Sequence, residues 1–115
     1  MRYCKYIPNP VHENFGMRRP NKNPMNLPQP EAEKLLNDPS KCAEVLVNKQ
    51  RIAVQAGKIY AFQPDQSVNQ PSSIESYHGY MISGNEVYTK YPSVSHFIAN
   101  LLGVSIKVLS RSHDI

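Results

Sequence analysis

The run Gln50-Arg-Ile-Ala-Val-Gln-Ala-Gly-Lys-Ile-Tyr-Ala-Phe62 restricts this chain more than any other segment. Ile52 and Val54 alternate with Arg51, Ala53 and Gln55; after Ala56-Gly57, Ile59 and Ala61 alternate with Lys58, Tyr60 and Phe62. A period of two sends successive side chains to opposite faces of a strand. Two such runs around a two-residue loop predict a β-hairpin in which Gly57 supplies the positive φ. Ile52, Val54, Ile59 and Ala61 then share a core face, while Arg51, Gln55, Lys58, Tyr60 and Phe62 share the other, a mixture of cations and aromatics. With 115 residues there is room for one small domain around that hairpin, and 40% hydrophobic residues suffice for a modest core, which excludes full disorder.

Pro30-Glu31-Ala32-Glu33 opens a helix over about 30–37, with proline and acids in the first turn. Asp38-Pro39-Ser40 repeats that signal, and Cys42, Val45 and Leu46 recur at i, i+3, i+4, so a second short helix over about 39–47 is expected, with a strand at Val45-Leu46-Val47 as the alternative. Residues 63–76 are polar, broken by Pro64 and Pro71, and read as a long surface loop. Tyr77–Ile82 reads as a strand, Ser83-Gly84-Asn85 as its turn and Glu86–Thr89 as the return strand of a second hairpin. Val94, Phe97, Ile98, Leu101 and Leu102 form one apolar helical face, with Ser93 as candidate N-cap and Gly103 just past the end. Residues 104–109 fit either a terminal strand or a short helix from Ser105. The expected class is α+β: short N-terminal helices, an antiparallel sheet of two hairpins and a C-terminal amphipathic helix on one sheet face, the other face being left for a ligand.

Charge is unevenly spread. Residues 1–30 carry Arg2, Lys5, Arg18, Arg19 and Lys22 against Glu13 alone, so the whole net charge of +4 belongs to them and the remainder sums to zero. The same stretch holds six of the ten prolines, which deny it helix and inner-strand donors. It reads as a basic, Pro/Asn-rich extended arm over 1–29, followed by one domain over 30–115. No apolar run is long enough to span a membrane and none resembles a secretory signal, so a soluble chain without membrane contact is expected. Cys4 and Cys42 form no CxxC pair; a disulfide pinning the arm and two separate thiols are both open readings. His12, His78, His96 and His113 are scattered, so neither a metal site nor a cofactor is expected. There is no G-x-S-x-G elbow and no glycine-rich phosphate loop.

The cluster that stands out chemically is Tyr77-His78-Gly79-Tyr80. Histidine both takes and gives a proton near neutrality, and Gly79 would admit a ligand or a neighbouring backbone. The plainer reading is a strand histidine among β-forming tyrosines. Metal-free RNA cleavage needs a base for the 2′-hydroxyl, an acid for the leaving oxygen and a cation against charge building on phosphorus; His78, Lys58 or Arg51, and Tyr60 or Tyr80 supply that inventory. Tyrosine rings could stack on splayed bases. His96 reads as an exposed side chain off the apolar face of its helix. Glu86 reads as a carboxylate base or as a strand-edge charge.

The segments Gly57-Lys-Ile-Tyr-Ala-Phe-Gln-Pro-Asp65, Tyr77-His-Gly-Tyr80 and Gly84-Asn-Glu-Val87 together resemble the small C-terminal toxin modules of bacterial polymorphic toxins of the Rhs and contact-dependent-inhibition type. The resemblance covers residues 31–110, with Met81 where the pattern has proline. It implies an α+β fold and a metal-independent ribonuclease similar to the barnase/EndoU/colicin/RelE superfamily. It also implies Lys58, Tyr60, His78 and Tyr80 as the catalytic face. Arg51, Tyr77, Lys90, Arg18 and Arg19 are read from their charge and aromatic character as the residues contacting RNA. Action in a cytoplasm and a cognate immunity or inhibitor protein follow from the same resemblance. The alternative from another class is a non-enzymatic interaction module whose basic arm docks on an acidic protein partner.

Overall fold

The structure is a computed structural model and describes residues 3–7, 25–45, 49–64 and 74–115. Along these residues run β1 (Tyr3–Tyr6), α1 (Gln29–Leu36), β2 (Cys42–Val45), β3 (Gln50–Gln55), β4 (Lys58–Pro64), β5 (Ile74–Ile82), α2 (Gly84–Lys90), α3 (Ser95–Leu102) and α4 (Ile106–Arg111), with a 3₁₀ turn over Pro92–Val94 ahead of α3. The class is α+β. Strands β2 to β5 pair antiparallel in chain order, and β1 joins the far edge parallel to β5, so the sheet order is β1-β5-β4-β3-β2. The expected antiparallel sheet of two hairpins is thus corrected to a five-stranded mixed sheet. Among the described residues, one N-terminal helix stands where two were read.

The hairpin that opened the sequence reading is present. Gln55 faces Lys58 across β3 and β4, leaving Ala56-Gly57 as a two-residue loop with φ of 51° and 77°. Both values are positive, as a primed turn between twisted strands requires; Gly57 adopts one freely, whereas the Cβ of Ala56 resists the other. Ile52, Val54, Ile59 and Ala61 are buried with Ile82 under α2, α3 and α4, as expected. The opposite face is not left open. Ala53, Tyr60, Phe62, Tyr77 and Met81 form a second core with Met25 and with Ala32, Leu35 and Leu36 of α1. Tyr60 and Phe62 are 1% and 0% exposed, because rings of this size stabilise a small fold most when removed from water. Gly79 lies opposite Phe62, and a Cβ there would come within 2.6 Å of the phenyl ring, so its missing side chain makes room for that ring. Cys4 on one sheet edge and Cys42 on the other lie in this same core, so the sheet curls around α1.

A stripe of polar side chains on α1 attaches it to the outer edge of β1. Gln29, Glu33 and Asn37 recur every four residues and so share one side of the helix. Gln29 Nε2 donates to Tyr6 O at 3.2 Å, the Tyr6 N–H donates to Glu33 Oε1 at 2.9 Å, and Asn37 both accepts from the Cys4 N–H at 2.9 Å and donates to Cys4 O at 2.7 Å. The Tyr3 hydroxyl also donates to Glu33. These side chains stand where a sixth strand would hydrogen-bond, and they satisfy edge groups that would otherwise be open to another chain. The expectation that no regular element persists in the first 30 residues is corrected here: β1 ends before Pro8, the first proline, so its donors are intact.

Four further expectations fail locally, in whole or in part. Asp38 caps a single turn where a helix from 39 was expected: its carboxylate accepts from Ser40 N and Oγ, and its carbonyl from the N–H groups of Lys41 and Cys42, while Leu46 and Val47 of that helix and of its strand alternative lie outside the described residues. The chain then enters β2, where Cys42 and Val45 point to opposite cores, so their spacing of three satisfies a strand buried on both sides. The return strand at 86–89 is the helix α2. Ser83 Oγ accepts from the Glu86 N–H at 3.1 Å, and Val87 and Tyr91 are buried four residues apart. Ser83-x-x-Glu86 is the spacing of a capping box, which outweighs strand propensity over so short a run. Ser93 does not cap the next helix, since Pro92–Val94 forms the 3₁₀ turn and α3 starts at Ser95. Of the two readings for the tail, the helix is present, with Ser105 Oγ accepting from the Val108 N–H. β5 begins at Ile74, so the strand reaches into the stretch read as loop; residues 65–73 of that stretch lie outside the described residues.

Two outcomes test this description. Replacing Ala56 with Asn should raise stability by about 0.5–1 kcal/mol in urea unfolding, since Asn-Gly suits a primed turn better than Ala-Gly. Asn37→Ala should lower it by about 1–3 kcal/mol, because the Cys4 N–H and carbonyl both lose their hydrogen bonds to the Asn37 amide, while a helical circular dichroism spectrum persists.

Candidate functional site

The residues singled out from sequence do not converge on one face. Tyr60 turns into the core under α1, and its hydroxyl donates to Asn26 Oδ1 at 2.6 Å. Lys58 stands exposed beside the hairpin turn and donates to the main-chain oxygen of Ile115 at 3.0 Å. His78 pairs in register with Gln63 near the opposite end of β4, about 16 Å along the strand from Lys58 at roughly 3.3 Å per residue. His78 and Tyr80 share the face covered by the C-terminal helices, and both are half-buried. The pleat therefore separates Tyr60 from His78 and Tyr80.

Arg51, Tyr77 and Glu44 form a separate group. The Arg51 guanidinium lies 5.7 Å from the Tyr77 ring centroid, its Nε donates to the Tyr77 hydroxyl at 3.4 Å, and its other end pairs with Glu44 at 3.9 Å. Tyr77 has no exposed surface, so its ring serves as a buried platform for Arg51. Arg18 and Arg19 lie outside the described residues.

What the structure does assemble is a polar cluster around Tyr80. Gln63 Nε2 donates to the Tyr80 hydroxyl at 2.8 Å, and the Tyr80 and Tyr91 hydroxyls are hydrogen-bonded to each other. Glu86 of α2 faces both phenols and pairs with Lys90 one helical turn on, at 3.5 Å. His78 stands two residues from Tyr80 on the same strand face. Burial pushes the Tyr80 phenol well above its ordinary range, with Tyr91 and the charge of Glu86 acting in the same direction; burial likewise raises Tyr91. Both phenols are thus neutral hydrogen-bond donors near neutral pH. Glu86 and Lys90, read from sequence as a strand-edge carboxylate and an RNA contact, belong to this cluster because α2 folds back over β5. Gln63 and Tyr91 were not read as site residues. Gln63 continues the alternation of Ile59 and Ala61, which was the available signal, whereas nothing local to Tyr91 indicated its partner.

Both cysteines are free thiols in the core under α1. Burial pushes the Cys42 thiol up to about 12, against the opposing pull of the Arg51 guanidinium. Among the described residues no group of His, Cys, Asp and Glu side chains has the arrangement of a metal site. No described helix is long and apolar enough to cross a membrane. Comparison of the chain with protein-family models, with curated proteins and with solved structures finds no match.

The Cys42 thiol makes a pH prediction with a definite sign. Its folded pKa is above the unfolded value of 9.0, so its contribution to stability is complete below pH 9 and is lost as pH rises towards 12. Urea midpoints should fall as pH rises from about 9 to 10, and the slope over that interval should be smaller in Cys42→Ala, in which only the raised tyrosines still contribute.

Proposed function

We propose that this chain is a metal-independent RNA-cleaving effector whose reactive groups are the Tyr80 cluster. The observation that carries this reading is the Tyr80 hydroxyl, held between Gln63 and Tyr91, beside Glu86 and two residues along one strand face from His78. RNA can cleave itself through attack of its 2′-hydroxyl on the adjacent phosphorus, which needs proton transfer at two oxygens and stabilisation of the charge on the phosphoryl group. His78 takes the proton from the 2′-hydroxyl as its bond to phosphorus forms and returns that proton to the 5′-oxygen as the bond from phosphorus to it breaks. Tyr80, remaining neutral, turns its one O–H from Tyr91 to a phosphoryl oxygen while still accepting from Gln63, and Lys90 supplies the positive charge beyond it. Glu86 acts on Lys90 and the phenols and so positions them. In this reading Tyr60 belongs to the core, and the toxin-module resemblance of residues 77–87 falls on the strand and helix that build the cluster.

Labelled RNA incubated with the purified protein in EDTA is the direct test. His78→Ala should reduce cleavage by about 10²-fold or more, the usual contribution of a positioned acid or base, with the melting temperature retained. Tyr80→Phe should reduce the rate while leaving RNA affinity near that of the original protein, since a phosphoryl donor acts mainly on the transition state. RNA left intact by the unmodified protein, with binding to an acidic protein partner that is lost on replacing Arg18, Arg19 and Lys22 with Ala, would favour the interaction-module reading instead.

A further inference from the structure

The sheet face that carries His78 continues onto β1, and a further cation stands there. β1 runs parallel to β5 with Lys5 opposite Ser76 and Tyr6 opposite Tyr77. The Ile7 N–H donates to the Tyr77 carbonyl at 2.7 Å, so the chain stays beside β5 as far as His78. Side chains alternate along both strands, and residues opposite each other share a face. Cys4, Tyr6 and Tyr77 lie in the core under α1, so Lys5, Ser76, His78 and Tyr80 belong to the other face.

The register also fixes how near Lys5 is. With strands about 4.8 Å apart and two residues of about 3.3 Å along them, the Lys5 and His78 Cα atoms are about 8 Å apart. Lys5 is exposed, and the ion pairs of the described residues, Arg51 with Glu44 and Lys90 with Glu86, do not include it. Along β5, Lys5 lies level with Ser76, before His78, whereas Lys90 belongs to the cluster around Tyr80, beyond it. Lys58, the strand cation read from sequence, is engaged at the far end of the face. There it borders an aliphatic cavity of about 340 Å³ by the hairpin turn, and its ammonium holds the main-chain oxygen of Ile115.

We infer that Lys5 binds the RNA phosphate next to the one that is cleaved, so that a single RNA strand lies along β5 with Lys90 on one side of His78 and Lys5 on the other. This rests on the RNA-cleaving reading of the Tyr80 cluster. A strand that places one phosphate at His78 and Tyr80 brings the charge of the next with it, and a cation at one end of the cluster leaves that charge uncompensated. A single strand is the form that fits, because His78 is half-buried and a nucleotide reaches it only when splayed out of a helix.

The test uses the full chain and a fluorescent single-stranded RNA with 2′-O-methyl riboses, which has no free 2′-hydroxyl to attack. Binding is followed by anisotropy over a range of salt. Lys5→Met, or Lys5→Gln if that variant does not fold, should weaken binding about fivefold or more and reduce the salt slope by about 0.7, the value of one phosphate contact on a single strand. Lys5→Arg should restore both. Lys107→Met, an equal change of charge on α4 at the cavity end, should leave both near the original. With cleavable RNA, Lys5→Met should raise KM with a much smaller effect on kcat, because Lys5 holds substrate and transition state alike. Equal binding by Lys5→Met and Lys107→Met, or a loss confined to kcat, would overturn the assignment of Lys5 while His78-dependent cleavage stood. RNA neither bound nor cleaved by the unmodified protein would overturn the RNA reading and this contact with it.

Discussion

The attachment of α1 to the outer edge of β1 is the contact on which the rest of the molecule depends. An edge strand of four residues has little pairing of its own and offers its outer N–H and C=O groups to any other chain. Gln29, Glu33 and Asn37 close that edge from one side of a helix, because a helical repeat of four residues rises about 6 Å and two strand residues span a nearly equal distance. Once the helix is held there, Ala32, Leu35 and Leu36 face inward and cover the sheet. The curl of the sheet follows, since Asn37 binds β1 while the next residue, Asp38, receives the N–H of Cys42 at the start of β2.

Covering both faces removes the arrangement in which one bare sheet face carries a ligand. Polar chemistry is then displaced to the margins of the layers. The Tyr80 cluster lies where the helical layer meets the end of β5 that pairs with Gln63, and the aliphatic cavity lies at the other end of that layer, by the hairpin turn. Both lie on β4 and its neighbour β5, the two longest strands of the described sheet. The Tyr80 phenol at this margin is buried enough for its pKa to rise, yet the residue still borders solvent.

Much of the fold was legible from local pattern. The β3–β4 hairpin was, because alternation and a glycine turn are properties of adjacent residues. The same holds for α1 and the Gly103 stop of α3, where proline, acids and a left-handed φ of 72° act within one turn. Cys42 and Val45 were not legible, because a spacing of three fits a helix with one core or a strand with two. Glu86–Thr89 alternates like a strand, and its helix depends on the Ser83 hydroxyl and on the seat of Gly84 against Leu109, where a Cβ would lie 2.6 Å from the Leu109 carbonyl oxygen. Of the site, His78, Tyr80, Glu86 and Lys90 were each noticed as residue types, but their grouping, and the exclusion of Tyr60, required the direction of each side chain.

The sequence by itself determined that Ile52, Val54, Ile59 and Ala61 share a core face, where the chain turns at Ala56-Gly57 and Gly103, and which side chains could move protons. Those are consequences of hydrophobicity, backbone sterics and intrinsic acidity, all local to a residue and its neighbours. Only the tertiary structure decided that the aromatic face of the hairpin would be covered and that β1 would pair with β5 beyond it. It also decided that Gln63 and Tyr91 would complete the cluster around Tyr80. These outcomes depend on contacts between segments distant in the chain, where the free energy of burying a face depends on what is available to cover it.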